Sequence, residues 1–172
     1  MQARPSRQEI LLPVKFNVIL ITLILAFVLN LLPWFGVGRL LRPDFVALVL
    51  LYWCIHQPRK IGFFGAWMLG LLMDVVDASL FGQHALAYSF LAYAGIVMHR
   101  RVQNFAPVAQ VVYAVLVLFG AELIMLIVRL MGGASLPGWD YFSGILTAAL
   151  LWPLLNVMLK IPRRTRAELE RS

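Results

Sequence analysis

Apolar residues come in long blocks nearly free of charge, separated by short stretches rich in Arg, Lys, Pro and Gly. The blocks near 16–34, 84–98, 107–128 and 141–159 approach or meet the length of about 20 residues that a helix needs to cross a hydrocarbon core. Two further blocks are less regular. Phe45 to Ile55 is a short uncharged run, and Ile61 to Phe81 is long enough only with Asp74 and Asp77 counted inside it. They flank Gln57-Pro58-Arg59-Lys60, where proline and adjacent charges stop a helix, so the pattern predicts a tight hairpin. The expected fold class is all-α: a polytopic membrane protein with six transmembrane helices over 16–159, after a cytoplasmic segment 1–15 and before a basic cytoplasmic tail 160–172. No fixed-period repeat and no low-complexity linker interrupts it.

Composition points the same way. Of the 172 residues, 62% are hydrophobic and 13% charged, against about 45 to 50% apolar in a soluble domain. The net charge of +7 does not suggest nucleic acid, because the basic residues lie between the apolar blocks and at the two ends. With six spans and an inward N-terminus, the cytoplasmic side holds Arg4, Arg7, Lys15, Arg59, Lys60, Arg100, Arg101, Lys160, Arg163, Arg164, Arg166 and Arg171. Arg39, Arg42 and Arg129 remain outside, and this twelve-to-three split places both termini in the cytoplasm. Asp44, Asp74, Asp77, Glu122 and Asp140 lie in or toward the outer half. The first block is too long for a typical signal h-region and ends in Leu32-Pro33-Trp34 without a small-x-small site, so it reads as a retained signal anchor. The tail from Pro162 to Glu168 reads as a topology anchor against anionic lipid rather than a docking site. Trp34 and Trp139 at span ends read as interfacial anchors.

Little catalytic chemistry is on offer. The single Cys54 cannot form an intramolecular disulfide or a cysteine-based metal site. His56, His84 and His99 sit at span ends without zinc-ligand spacing, and no cofactor is expected. Asp74 and Asp77 with Gly70 echo the paired acids of membrane phosphatidyltransferases, but the rest of that pattern is absent. Ser79, Ser89, Ser135 and Ser143 lie in no nucleophile motif with a nearby His or Lys. The clearest feature is a ridge of residues four apart, Gly62, Ala66, Gly70, Asp74, Ala78 and Gly82. Small residues along such a ridge let a neighbouring backbone approach closely, within the protein or in a partner. Asp74, about 20 Å along the helix from Ile61, then needs protein or water around it and a partner. Glu122 needs one too. Arg129 shares its helix face but lies about 10 Å away in rise, so Glu122 is expected to find a partner on another helix; Arg42 and Arg129 are the outer cations available to the two acids, with the pairing left open. Asn156, three residues after Pro153, reads as structural glue between helices.

Taken together and in order, several pieces resemble the MreD family. They are Leu32-Pro33-Trp34, Arg42-Pro43-Asp44, Tyr52-Trp53, Pro58-Arg59, Gly62, Gly65, Gly70-Leu71-Leu72 leading to Asp74, Leu80-Phe81-Gly82 and Leu151-Trp152-Pro153. The resemblance covers about residues 30–160 and departs at Asp77-Ala78-Ser79, where such sequences show Gly-Ser. It implies a non-enzymatic inner-membrane component of the cell-elongation machinery, supporting rod shape and peptidoglycan synthesis through contact with MreC. Through MreC it would reach MreB filaments, RodA and the elongation transpeptidase. A homo-oligomer is compatible with it. It also implies a fold similar to the substrate-binding component of energy-coupling-factor transporters, which keeps small-molecule or lipid binding and transport as an alternative. The candidate contact residues are Arg42, Pro43, Asp44, Arg59, Gly62, Ala66, Gly70, Asp74, Gly82, Glu122, Trp152 and Pro153, with the second and third helices as the expected partner surface.

Overall fold

The computed structural model describes residues 15–160. The expected segments 1–14 and 161–172, with Arg4, Arg7 and the basic tail, lie outside the described residues, as do the side chains of Arg39, Trp139, Asp140 and Lys160. Among the described residues every regular element is helical: α1 (Phe16–Leu31), a short α2 (Val37–Leu40), α3 (Phe45–His56), α4 (Pro58–Val76), α5 (Gln83–Gln103), α6 (Pro107–Met131) and α7 (Ser143–Lys160). A 3-10 turn, Trp139–Phe142, leads into α7. Local chemistry sets the boundaries. Pro58 and Pro107 open their helices, where a missing N–H costs no intrahelical bond, and Pro33 follows the end of α1.

One helix, α6, is long and apolar enough by itself to cross a membrane, whereas α1, α3 and α7 are apolar but shorter. The expectation of six transmembrane helices, two of them irregular, thus meets six helices of unequal length besides the short α2. The central one is the shortest. At 12 residues, α3 is about 18 Å long against a hydrocarbon core of about 30 Å. Its side chains are buried without a break from Val46 to Ile55, because α1, α4, α5, α6 and α7 all pack on it. That explains a sequence apolar at every position, with no polar face. Two polar contacts tie neighbours to this core: Trp53 Nε1 donates to Thr22 Oγ1 at 2.9 Å, and Gln103 Nε2 donates to the Ile55 carbonyl at 2.6 Å.

The expected hairpin needs correction. Gln57 alone separates α3 from α4, and α4 breaks its helical geometry at Gly62 (φ 64°) before packing chiefly on α5 rather than on α3. The ridge also ends earlier than the four-residue spacing suggests. The helix stops at Val76, and Ala78 (φ 48°) and Gly82 (φ 100°) are turn positions with left-handed backbone. What remains of the ridge faces inward. Ala66, Gly70 and Asp74 are buried, and a Cβ on Gly70 would sit 2.5 Å from the Ala85 Cα and 2.6 Å from the His84 carbonyl oxygen. Here the small residue lets the start of α5 lie directly on α4.

Candidate functional site

The chain alternates direction, so the C-terminal ends of α1, α4 and α6 meet the N-terminal ends of α3, α5 and α7. Two carboxylates tie this end together. Asp44 caps α3: its Oδ1 accepts the Ala47 N–H at 3.0 Å and the Asn30 Nδ2 at 2.9 Å, and its Oδ2 accepts the Tyr88 hydroxyl at 2.7 Å. An Asp before an apolar run is a readable N-cap. Asn30 completes the knot from α1, accepting the Phe45 N–H at 3.0 Å on Oδ1 and the Arg42 guanidinium at 3.1 Å on its carbonyl.

Asp74, in the last turn of α4 and 1% exposed, does the same for α5. Its Oδ1 accepts from the His84 backbone N–H (2.7 Å), His84 Nδ1 (2.9 Å) and Ser79 Oγ (3.0 Å), while Oδ2 accepts from the Gly82 N–H (2.8 Å) and, longer, the Ala85 N–H (3.4 Å). A carboxylate placed on unsatisfied N–H groups at a helix start is also favoured by the helix dipole. The expected arginine partner is therefore wrong for Asp74, whose partners are backbone amides, Ser79 and His84. Among the described residues the ion pairs within 4 Å are those of His84, with Asp74 and, at 3.6 Å from Nε2, with Asp77.

Above these knots lies a cavity of about 520 Å³ lined by Asn30, Leu40, Arg42, Pro43, Asp44, Met73, Asp77, Ser79, Gln83, His84, Glu122, Met125, Arg129 and Tyr141. It brings together Arg42, Pro43, Asp44 and Glu122 from the expected set and adds Arg129. Glu122 Oε2 is buried without a hydrogen-bond partner in the structure. Asp74 sits beside the cavity through its contacts with Ser79 and His84, and Gly82 through its N–H on Asp74.

Ser79 and His84, which show no motif in the sequence, are brought together here. Their geometry is not that of a nucleophilic relay, because Ser79 Oγ lies 3.3 Å from Nδ1, the same ring nitrogen that faces Asp74. A relay needs serine and acid on opposite ring nitrogens.

The other candidates lie elsewhere. Arg59 is exposed at the far end and Gly62 marks the break in α4. Ala66 and Gly70 are inside the α4–α5 contact. Trp152 is buried in α7 edge-on to Tyr52, at a ring distance of 6.5 Å, beside Pro153 within the same helix. Asn156 reaches Gln110 of α6 at 3.5 Å, which agrees with a role between helices. Sequence reasoning missed Asn30 and Tyr88. A lone amide in the last turn of an otherwise apolar helix was the available signal for Asn30.

The profile of the MreD family, described as rod shape-determining protein MreD, matches residues 13–161. The rod shape-determining protein MreD of Haemophilus influenzae is 31% identical over 141 residues, covering 82% of this chain and 87% of its own length. No solved structure matches the chain. The family match takes in every helix from α1 to α7 together with both carboxylate knots, and the chain belongs to the MreD family of rod shape-determining proteins.

Proposed function

We propose that the protein is a non-enzymatic, six-crossing component of the bacterial inner membrane that supports rod shape and lateral peptidoglycan synthesis through contact with MreC. By way of MreC it would act with MreB filaments, RodA and the elongation transpeptidase. Six crossings suit the unequal helices, since short α3 is enclosed by protein, and backbone ends inside the bilayer are tolerated where protein or a water-filled cavity surrounds them. The twelve-to-three division of Lys and Arg puts both termini in the cytoplasm and the cavity end outside.

The observation that carries the contact reading is the outer face of α4. Phe63, Phe64, Trp67, Met68, Leu72 and Val75 are exposed there, with Gly65 among them, on a helix whose inner side is occupied by α5. Lipid gives no hydrophobic drive for helix association, so a partner helix is held by close packing, which a small residue beside large apolar ones permits. The expected surface narrows accordingly, because α3 is buried and cannot offer a face to a partner. Affinity capture tests this. Full-length protein in mild detergent should recover MreC stoichiometrically, and Gly65→Leu with Trp67→Ala should reduce recovery at least fivefold without lowering the melting temperature. Absence of MreC, unchanged recovery by the variant, or turnover of a lipid-linked substrate by the purified protein would contradict the proposal.

A further inference from the structure

Asp44, the N-cap of the 12-residue α3, lines the polar cavity, so the N-terminal end of α3 forms part of the cavity wall. At about 520 Å³ the cavity is in the range of small-molecule sites, about 300 to 1,000 Å³. Several of its polar groups are already occupied. Asp44 accepts from three donors, His84 Nδ1 serves Asp74 while Nε2 is 3.6 Å from Asp77, and Arg42 gives one N–H to the Asn30 carbonyl. Among the remaining polar groups, which also include the side chains of Asp77, Gln83 and Tyr141, three carry the strongest unmet demand. Among the described residues Glu122 Oε2 is buried and lacks a donor, and both Arg129 and the remaining N–H groups of Arg42 face the cavity with no carboxylate of a described residue within 4 Å. Glu122 and Arg129 share one face of α6 but are about 10 Å apart in rise, so they do not neutralise each other.

We infer that this cavity binds a small zwitterion with a primary ammonium at one end and a phosphate or carboxylate at the other. The ammonium donates to Glu122, and the anion is held between the guanidinium groups of Arg129 and Arg42. A guanidinium presents paired N–H donors that match a phosphate or carboxylate, and an ammonium brings three donors and no acceptor, which is what a buried carboxylate oxygen lacks. A quaternary ammonium offers no N–H and leaves Glu122 unsatisfied, so the site discriminates ethanolamine from choline. Ethanolamine phosphate fits this description, either as a membrane lipid headgroup or as a free water-soluble compound. The inference does not rest on the contact with MreC.

The test uses the full-length protein. In one arm, native mass spectrometry follows lipid retained after release from nanodiscs of phosphatidylethanolamine or phosphatidylcholine. In the other, calorimetry follows glycerophosphoethanolamine or glycerophosphocholine added to the detergent-solubilised protein. One equivalent of the ethanolamine compound is expected, with the choline compound at least tenfold weaker. Glu122→Gln and Arg129→Gln should each weaken binding at least tenfold, and Arg59→Gln at the far end should leave it unchanged. Retention in the lipid arm alone assigns the headgroup of a membrane lipid, and binding in the soluble arm alone assigns a free zwitterion. Both agree with the inference. No binding in either arm, equal binding of choline and ethanolamine, or full binding by folded Glu122→Gln and Arg129→Gln variants overturns it. The comparison of choline with ethanolamine uses the unaltered protein, so it decides the matter even where a variant fails to fold.

Discussion

The two ends of the helix bundle are built on different principles. Every acidic residue between 15 and 160 belongs to the end where α3 and α5 begin, and there Asp44 and Asp74 join helix ends by accepting eight hydrogen bonds between them, each from a named donor. At the other end the charges are basic, Lys15, Arg59, Lys60, Arg100 and Arg101, and Arg59, Arg100 and Arg101 are exposed or nearly so. Helix contacts there rest on uncharged groups such as Gln103 on the Ile55 carbonyl. Charge thus has two uses in one small bundle. Enclosed acids hold helix starts in place, while the bases stay outside the packed core, where under the proposed six-crossing arrangement they would set orientation.

If that contrast is right, substitutions at the acidic end should damage the fold and those at the basic end should not. The largest effect is expected from Gly70→Leu, because even a Cβ there meets the α5 backbone at 2.5 Å. Little folded protein should be recovered after solubilisation, measured by size-exclusion chromatography. Asp74→Ala should follow, losing about 3 to 5 kcal/mol, since it strands buried N–H groups of α5 and the His84 ring. Detergent unfolding midpoints measure this, and Asp77→Ala, whose acid is a third exposed and meets only His84 at 3.6 Å, should lose under about 1 kcal/mol. Equal losses for the two would erase the distinction between the knot and its neighbour. Tyr88→Phe removes one donor from half-buried Asp44 and should cost about 1.5 to 3 kcal/mol by the same measurement. Smallest of all, Arg59→Gln should leave the midpoint unchanged, and a clear loss there would give the basic end a structural role the contrast denies it.

The helices were readable in the sequence because each apolar block became one, whereas Asp44 was singled out by the family resemblance and not as the N-cap it is, although an N-cap is a local feature. Asp74 was harder. Its burial followed from its place in an apolar run, but its partners did not, since they are backbone N–H groups that exist only once Gly82 turns the chain and α5 begins. A search for opposite charges looks to arginine and misses amides. The four-residue ridge was similarly half visible: its spacing located Ala66, Gly70 and Asp74 on one face, yet continued on paper into Ala78 and Gly82, where the backbone has already left the helix. The short run Phe45 to Ile55 showed its length but not its place at the centre, because burial on all sides comes from five helices distant in sequence.

The opposition of the two ends across a membrane can be measured by single-cysteine labelling in intact cells with a membrane-impermeant maleimide. Cys54 is fully buried and gives a silent background. Ser135→Cys, exposed between α6 and α7 at the cavity end, should label in intact cells, whereas Arg59→Cys, exposed in the first turn of α4 at the basic end, should label only after the membrane is permeabilised. Labelling of both positions in intact cells, or of neither until permeabilisation, would place the two ends on one side and contradict the six-crossing account.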